Sequence, residues 1–147
     1  MWAPLFLTHL AQANAELGQF KTAWSNIHEA MTAVGVTKET WYEAEINRVA
    51  GEITLLGTEA DAVTAEAYFA GALTIAREKK AKSLELRAAT SMARLLCLQG
   101  KRGPARGILA PVYGWFTEGF DTLDLRAAGF LLAELAQDHP INATSSL

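Results

Sequence analysis

Apolar residues recur along this chain every three or four positions, the period of a helix with one buried face, and no stretch alternates with the period of two that marks a half-buried strand. The first run predicts a helix over about 3–17, with Leu7, Leu10, Ala11, Asn14 and Leu17 on one stripe. Leu17-Gly18-Gln19 breaks it, and a second helix over about 20–34 carries Phe20, Ala23, Trp24, Ile27, Ala30 and Met31 inward. Gly35 ends that run, and Thr40 is placed to cap the next. The third helix, about 41–56, turns in Tyr42, Ile46, Val49, Ala50, Ile53 and Leu56 and stops at Gly57. The fourth, about 60–79, uses Val63, Ala65, Phe69, Ala72, Leu73 and Ala76. Ser83 is expected to cap a fifth over about 84–99, with Leu84, Ala88, Met92, Leu95, Leu96 and Gln99 before Gly100. The sixth, about 103–116, has Pro104 in its first turn, where a missing N–H costs nothing. Pro111 inside it predicts a kink or an early end. The seventh, about 122–137, starts at Asp121 or Thr122 and buries Leu125, Ala128, Leu131, Leu132 and Leu135; residues 139–147 read as a frayed tail.

The helices fall into pairs, about 3–34, 41–79 and 84–116, with 122–137 left to cap the last, in one domain over 1–138. Gly18 is followed at plus five, nine and twelve by Ala23, Ile27 and Ala30, and Gly100 by Ala105, Leu109 and Val112. After Gly57 the corresponding residues, Ala65, Phe69 and Ala72, come three positions later, so that turn is longer. Small residues such as Ala11, Ala50 and Ala93 let paired helices approach closely, while Ile27, Phe69 and Leu109 fill the gap to the next pair. The turn glycines suit a left-handed backbone. This pattern resembles the tetratricopeptide repeat. The fold it implies is all-α, a right-handed α-α superhelix of three helix pairs plus a C-terminal capping helix. The glycines lie 39 and 43 residues apart, against about 34 in the standard repeat, which favours a long-helix variety. The unpaired last helix covers the final apolar face, as a solenoid requires.

A narrower resemblance begins near Ala44. It runs through Glu45-Ile-Asn-Arg-Val-Ala-Gly51-Glu52, Ala65-Glu-Ala-Tyr-Phe69 and Ala72-Leu-Thr-Ile-Ala-Arg77, then Lys82-Ser-Leu-Glu-Leu-Arg87, and is most specific over Leu109 to Thr122. These stretches are similar to the C-terminal tetratricopeptide region of large bacterial adenylate/guanylate cyclase-type or transcriptional-regulator proteins that carry an AAA-type ATPase module. The likeness spans about two-thirds of the chain, and the first 40 residues more loosely. It implies a non-catalytic arm: no Gly-x-x-x-x-Gly-Lys-Ser/Thr phosphate loop occurs, and seven helices leave no place for the cyclase metal carboxylates. Met1 falls almost inside a helix, which reads as a C-terminal piece or a stand-alone remnant.

Composition narrows the classes further. Half of the 147 residues are hydrophobic and a fifth are charged, which suits a globular domain rather than disorder. The formal net charge of -3 gives no general field for nucleic acid. Cys97 alone makes neither an internal disulfide nor a Cys-rich zinc site. No run of about 18 apolar residues crosses a membrane, and the N-terminus lacks the basic start of a signal peptide. A cytoplasmic location is expected, and the sequon at Asn142 then has no use.

Candidate chemistry is sparse. His9, His28 and His139 lie on separate elements, so no metal is expected. Cys97 reads as a small hydrophobe, and Ser91 as a packing residue without a basic partner. No cofactor is expected. Glu45, Arg48 and Glu52 form a ladder that is either a solvated ion-pair face or part of a groove. Arg77, Lys79, Lys80 and Lys82 complement a helix C-terminus, and Trp115, Phe116 and Phe120 either pack the cap or form a partner patch. The tetratricopeptide resemblance assigns the concave groove to the first helix of each pair, which picks out Thr8, Gln12, Asn47, Gly51, Arg87, Thr90 and Arg94. Arg87 and Arg94 are one heptad apart, flank Thr90, and suit a carboxylate or an acidic peptide. The expected function is binding of a protein or peptide. Packing on an ATPase domain or homodimerisation is the alternative, with a small-effector site as a third reading.

Overall fold

The computed structural model describes residues 3–37, 42–57 and 61–137. They form helices and connections, with no strand among the described residues. The helices are α1 (Ala3–Glu16), α2 (Phe20–Thr37), α3 (Glu43–Leu56), α4 (Ala62–Glu78), α5 (Lys82–Leu98), α6 (Arg102–Trp115) and α7 (Leu123–Ala136). All seven expected helices are present, so the protein is all-α. The positions expected at Thr40, His139 and Asn142 lie outside the described residues.

Three turns share one hydrogen-bonding scheme. At Gly18 (φ +82°) the Gln19 N–H donates to Asn14 O at 2.8 Å, and at Gly100 (φ +78°) Lys101 N–H donates to Leu96 O at 2.8 Å. Between α4 and α5, Lys80 takes the same left-handed position (φ +54°), with Ala81 N–H donating to Ala76 O at 2.9 Å. Each is a six-to-one closure that satisfies an orphan carbonyl of the preceding helix. Gly57 departs from expectation: its φ is −67° and its backbone extended. The connection from α3 to α4 is longer than the turns at Gly18 and Gly100.

The helix starts also sort. Asp61 caps α4 by accepting from Val63 N and Thr64 N at 3.1 Å each. The Thr64 hydroxyl also donates to this carboxylate, and these bonds, the hydroxyl's first, hold the Asp61 carboxyl below its ordinary range. Thr122 caps α7 as expected, accepting from Leu125 N. Ser83 does not cap α5; it lies inside the first turn, and Ala81 holds the cap position. Pro111 does not end α6, which runs on to Trp115. Pro111 and Gly107, whose carbonyl loses its helical donor, are both exposed, so water reaches that carbonyl.

α1 packs on α2, α3 on α4, and α5 on α6, with α4 also against α5. The odd-numbered helices touch in sequence as well, α1 on α3, α3 on α5 and α5 on α7. Between α2 and α4 the Trp24 and Tyr68 rings meet with centroids 6.0 Å apart, but the even helices otherwise approach one another less than the odd ones do. The odd helices therefore make the closer-packed layer.

Two apolar clusters fill the interior. One joins α1, α2 and α3 through Ala11, Ile27, Val34, Ile46 and Ile53. The other joins α4 to α7 through Phe69, Leu86, Met92, Leu109 and Leu125. The sets Ala23/Ile27/Ala30, Ala65/Phe69/Ala72 and Ala105/Leu109/Val112 are all buried, as the repeat spacing predicts. Gly51 is needed for this packing: a Cβ there would stand 2.5 Å from Phe69 Cε1. Leu10, Leu17, Met31, Leu56 and Val63 are exposed, contrary to expectation. All but Leu10 and Met31 sit at or next to a helix end, where no neighbouring helix overlaps the stripe.

The left-handed turns yield opposed outcomes. Gly100 has open space around its missing Cβ, so Gly100→Ala should lose about 1 kcal/mol through backbone strain alone. Lys80→Gly relieves the same strain and should gain a fraction of that, since added freedom in the unfolded chain offsets part of it. Urea unfolding of both variants measures the two signs.

Candidate binding cleft on the odd-numbered helices

Glu45, Arg48 and Glu52 succeed one another at plus three and plus four on α3, so all point from one side of the helix. That side is not solvated. The Glu45 side chain is 1% exposed and that of Arg48 8%. Two parallel bonds join them, Arg48 Nε to Glu45 Oε1 at 2.9 Å and Nη2 to Oε2 at 2.8 Å. Arg48 Nη1 lies 3.5 Å from Glu52 Oε2 and 3.4 Å from Ser91 Oγ. Ser91 in turn donates to Glu52 Oε2 at 2.7 Å. Ser91, expected to lack a basic partner, thus links the arginine and carboxylate of α3 to α5.

The network continues through α5. Arg87 Nη1 reaches Glu45 Oε2 at 2.8 Å, and its Nε lies 3.6 Å from Asp124 Oδ1 in the first turn of α7. Three odd helices are therefore tied by alternating charges. Burial works against the Arg48 charge, but the Glu45 hydrogen bonds and the carboxylates of Glu45, Glu52 and Asp124 outweigh it and hold its pKa above the ordinary value. Burial pushes the neighbouring Tyr42 phenol up, and Glu45 adds to this while Arg87 and Arg48 oppose it.

A cleft of about 160 Å³ opens above this network, lined by Gln12, Arg48, Arg87, Thr90, Ser91, Arg94, Asp124 and Ala127. Of the residues chosen from sequence, Gln12, Arg87, Thr90 and Arg94 meet here. Thr8 is fully buried. Asn47 donates Nδ2 to Glu43 O at 2.9 Å and its amide oxygen faces Gly71 of α4. Gly51 meets Phe69. On α3 the cleft is lined one residue later than expected, at Arg48, a rotation of about 100°. The ladder pattern pointed to Arg48; nothing in the sequence pointed to Asp124. Thr90 donates its hydroxyl to Leu86 O at 2.8 Å, leaving its oxygen to accept. Arg94 is exposed and makes no ion pair among the described residues.

The other candidates lie elsewhere. His9 and His28 are exposed and His139 is outside the described residues, which hold no group of three metal-binding side chains. The Cys97 thiol is partly buried, which pushes its pKa up. Arg77 and Lys82 pair with the buried Glu85 at 3.1 and 3.2 Å, and Lys82 Nζ also stands 5.6 Å from the Trp115 ring centroid. Lys79 and Lys80 remain exposed. Phe116 packs on the core, whereas Trp115 and Phe120 face outward. No described helix is long and apolar enough to cross a membrane.

Removing one partner of a buried pair strands the other charge. Arg48→Met should cost about 3 kcal/mol, because the Glu45 carboxylate keeps only Arg87. Arg94→Ala should stay within about 0.5 kcal/mol of the wild type. Denaturant midpoints of the two variants compare the inner and outer arginines directly.

No protein-family model matches the chain, and no curated protein or solved structure shows significant similarity to it.

Proposed function

We propose that the chain is a non-catalytic module that binds a protein or peptide. In this reading its three helix pairs and capping helix form a right-handed tetratricopeptide-like superhelix. The reading also makes it the sensor or scaffold arm of a bacterial, cytoplasmic signalling or regulatory protein. The closer contacts among odd helices support the superhelix, since a curved stack is concave on its closer-packed side. The turn geometry at Gly18 and Gly100 supports it too. The single observation that carries the binding role is the cleft on that side. There Arg48 and Arg87 are already paired by the chain's own carboxylates, while Arg94 faces solvent without one.

Arg87 is unsuitable as a probe, because a carboxylate at its position would face the buried Glu45. Arg94 has no such tie. A displayed library of random peptides should enrich acidic sequences on the wild-type chain. Arg94→Glu should bind the selected peptides at least about tenfold more weakly, with an unchanged thermal midpoint. Equal binding by the variant, or no acidic enrichment, rejects the cleft as the site.

Self-association, or packing on an ATPase domain, has an observation of its own. Phe6 and Leu10 are exposed on α1 and Leu17 just past its end, and Leu123 and Phe130 stand out from α7 at the other end of the chain of helices. Light scattering across a concentration series should then show dimers that Phe6→Glu dissolves; a monomer at every concentration removes self-association.

A further inference from the structure

The connection from α6 to α7 returns across the start of α5 and encloses part of a second cavity, of about 550 Å³. Its walls are set by local geometry. Gly119 is left-handed (φ +79°), Thr122 N–H donates to Gly119 O at 2.9 Å, and Phe120 packs on Tyr113 with ring centroids 5.6 Å apart. Leu86, Trp115, Phe116 and Leu125 give the cavity its apolar surface, and Glu118 and Asp124 give it two carboxylates. No lysine, arginine or histidine lines it.

The aromatic pair is arranged edge to face, with centroids 5.1 Å apart and planes at 85°. Two such rings meet as a corner and offer negative ring surface in two directions. The Trp115 ring already draws an ammonium of the chain itself, Lys82 Nζ, to 5.6 Å. The carboxylates are weakly held. Asp124 is 3.6 Å from Arg87 Nε, beyond hydrogen-bond distance, and Glu118 makes no ion pair among the described residues.

The lining selects among ligands. An anion would meet two carboxylates, and the cations nearest the wall, Lys82 and Arg87, are already engaged by Glu85 and Glu45. A metal ion lacks a set of three donor side chains among the described residues. A neutral apolar group would use the rings and leave Glu118 without a partner and Asp124 with only the 3.6 Å contact to Arg87. An alkylated ammonium uses both: its methyl or methylene groups lie against the rings, and its diffuse charge is compensated by the acids.

We propose that the cavity between α5 and the α6–α7 connection binds an alkylammonium group through Trp115, Phe116, Glu118 and Asp124. Two sources carry this chemistry, the side chain of a lysine or methylated lysine in a partner peptide, and a free quaternary ammonium compound. The site is distinct from the Arg94 cleft, although Asp124 lines both. It does not rest on the peptide-binding reading, because a free cation would occupy it equally well.

The experiment titrates the full chain with choline, with acetyl-lysine methylamide bearing a free or a trimethylated side-chain amine, and with the carbon isostere of choline, which lacks the charge. The Trp115 indole N–H and Gly119 amide are followed by NMR. The ammonium probes should give saturable shifts, with the uncharged isostere binding about tenfold more weakly. Trp115→Leu and Glu118→Gln, both at exposed positions, should each abolish saturation while leaving the thermal midpoint and the peptide-binding behaviour of the Arg94 cleft unchanged. Tighter binding of the trimethylated lysine than of choline supports a peptide source, and equal binding supports a free headgroup. Absence of saturation with every ammonium probe, equal binding of the uncharged isostere, or full binding by both variants overturns the proposal.

Discussion

The Glu45 carboxylate is almost wholly removed from water, and the packing of the odd-numbered helices depends on how its charge is compensated. An isolated ion in that position would be neutralised or would disrupt the packing. Here three charge-assisted contacts reach it: two from the Arg48 fork and one from Arg87. The first partner lies one turn away on the same helix. The second comes from α5, so the position of α5 along α3 is constrained to within hydrogen-bond tolerance. Apolar contacts do not impose such a constraint, because burial is non-directional. Residues of similar volume and no charge would match or exceed such a pair in stability. We therefore take the network to set the register of the odd helices rather than to add net stability.

Close packing makes that register reachable. Gly51 faces Phe69 with no room for a Cβ, and the alanines at Ala65, Ala72 and Ala105 have no exposed surface. Small residues bring the helices near enough for side chains as short as serine to matter. Ser91 reaches Glu52 across the α3–α5 contact at 2.7 Å. The turns contribute in the same direction. A left-handed residue at Gly18, Lys80 and Gly100 reverses the chain within a few residues, so consecutive helices begin side by side.

The two candidate sites follow from what this packing leaves over. On α5, Arg87 is drawn inward by Glu45, and Arg94, two turns later, is left at the mouth of the cleft. Beyond it, the connection before α7 places aromatic rings and acids over the start of α5. Asp124 lies between the two, so one end of the odd-helix layer presents regions of opposite charge side by side.

Local order was legible in the sequence because it depends on near neighbours. Helical period, turn glycines and the small–large–small spacing at Ala23/Ile27/Ala30 and its two counterparts are properties of a dozen consecutive residues. They led to seven helices and to most of the core. The errors also have local causes. Gly57 carries the glycine but not the left-handed backbone, and Leu17 and Val63 continue a stripe past the point where another helix covers it. The site was legible only in part. Gln12, Arg87, Thr90 and Arg94 were found, whereas Asn47 and Gly51 are turned toward α4 and Arg48 takes their place. Which face of α3 looks into the cleft is decided by a rotation of one residue. Arg48 and Ser91 are 43 residues apart, and Glu52 and Ser91 39. Sequence alone determined the helices and the apolar spacing, through short-range periodicity. Only the tertiary structure decided which charges meet, because those partners are separated by whole helices and brought together by packing.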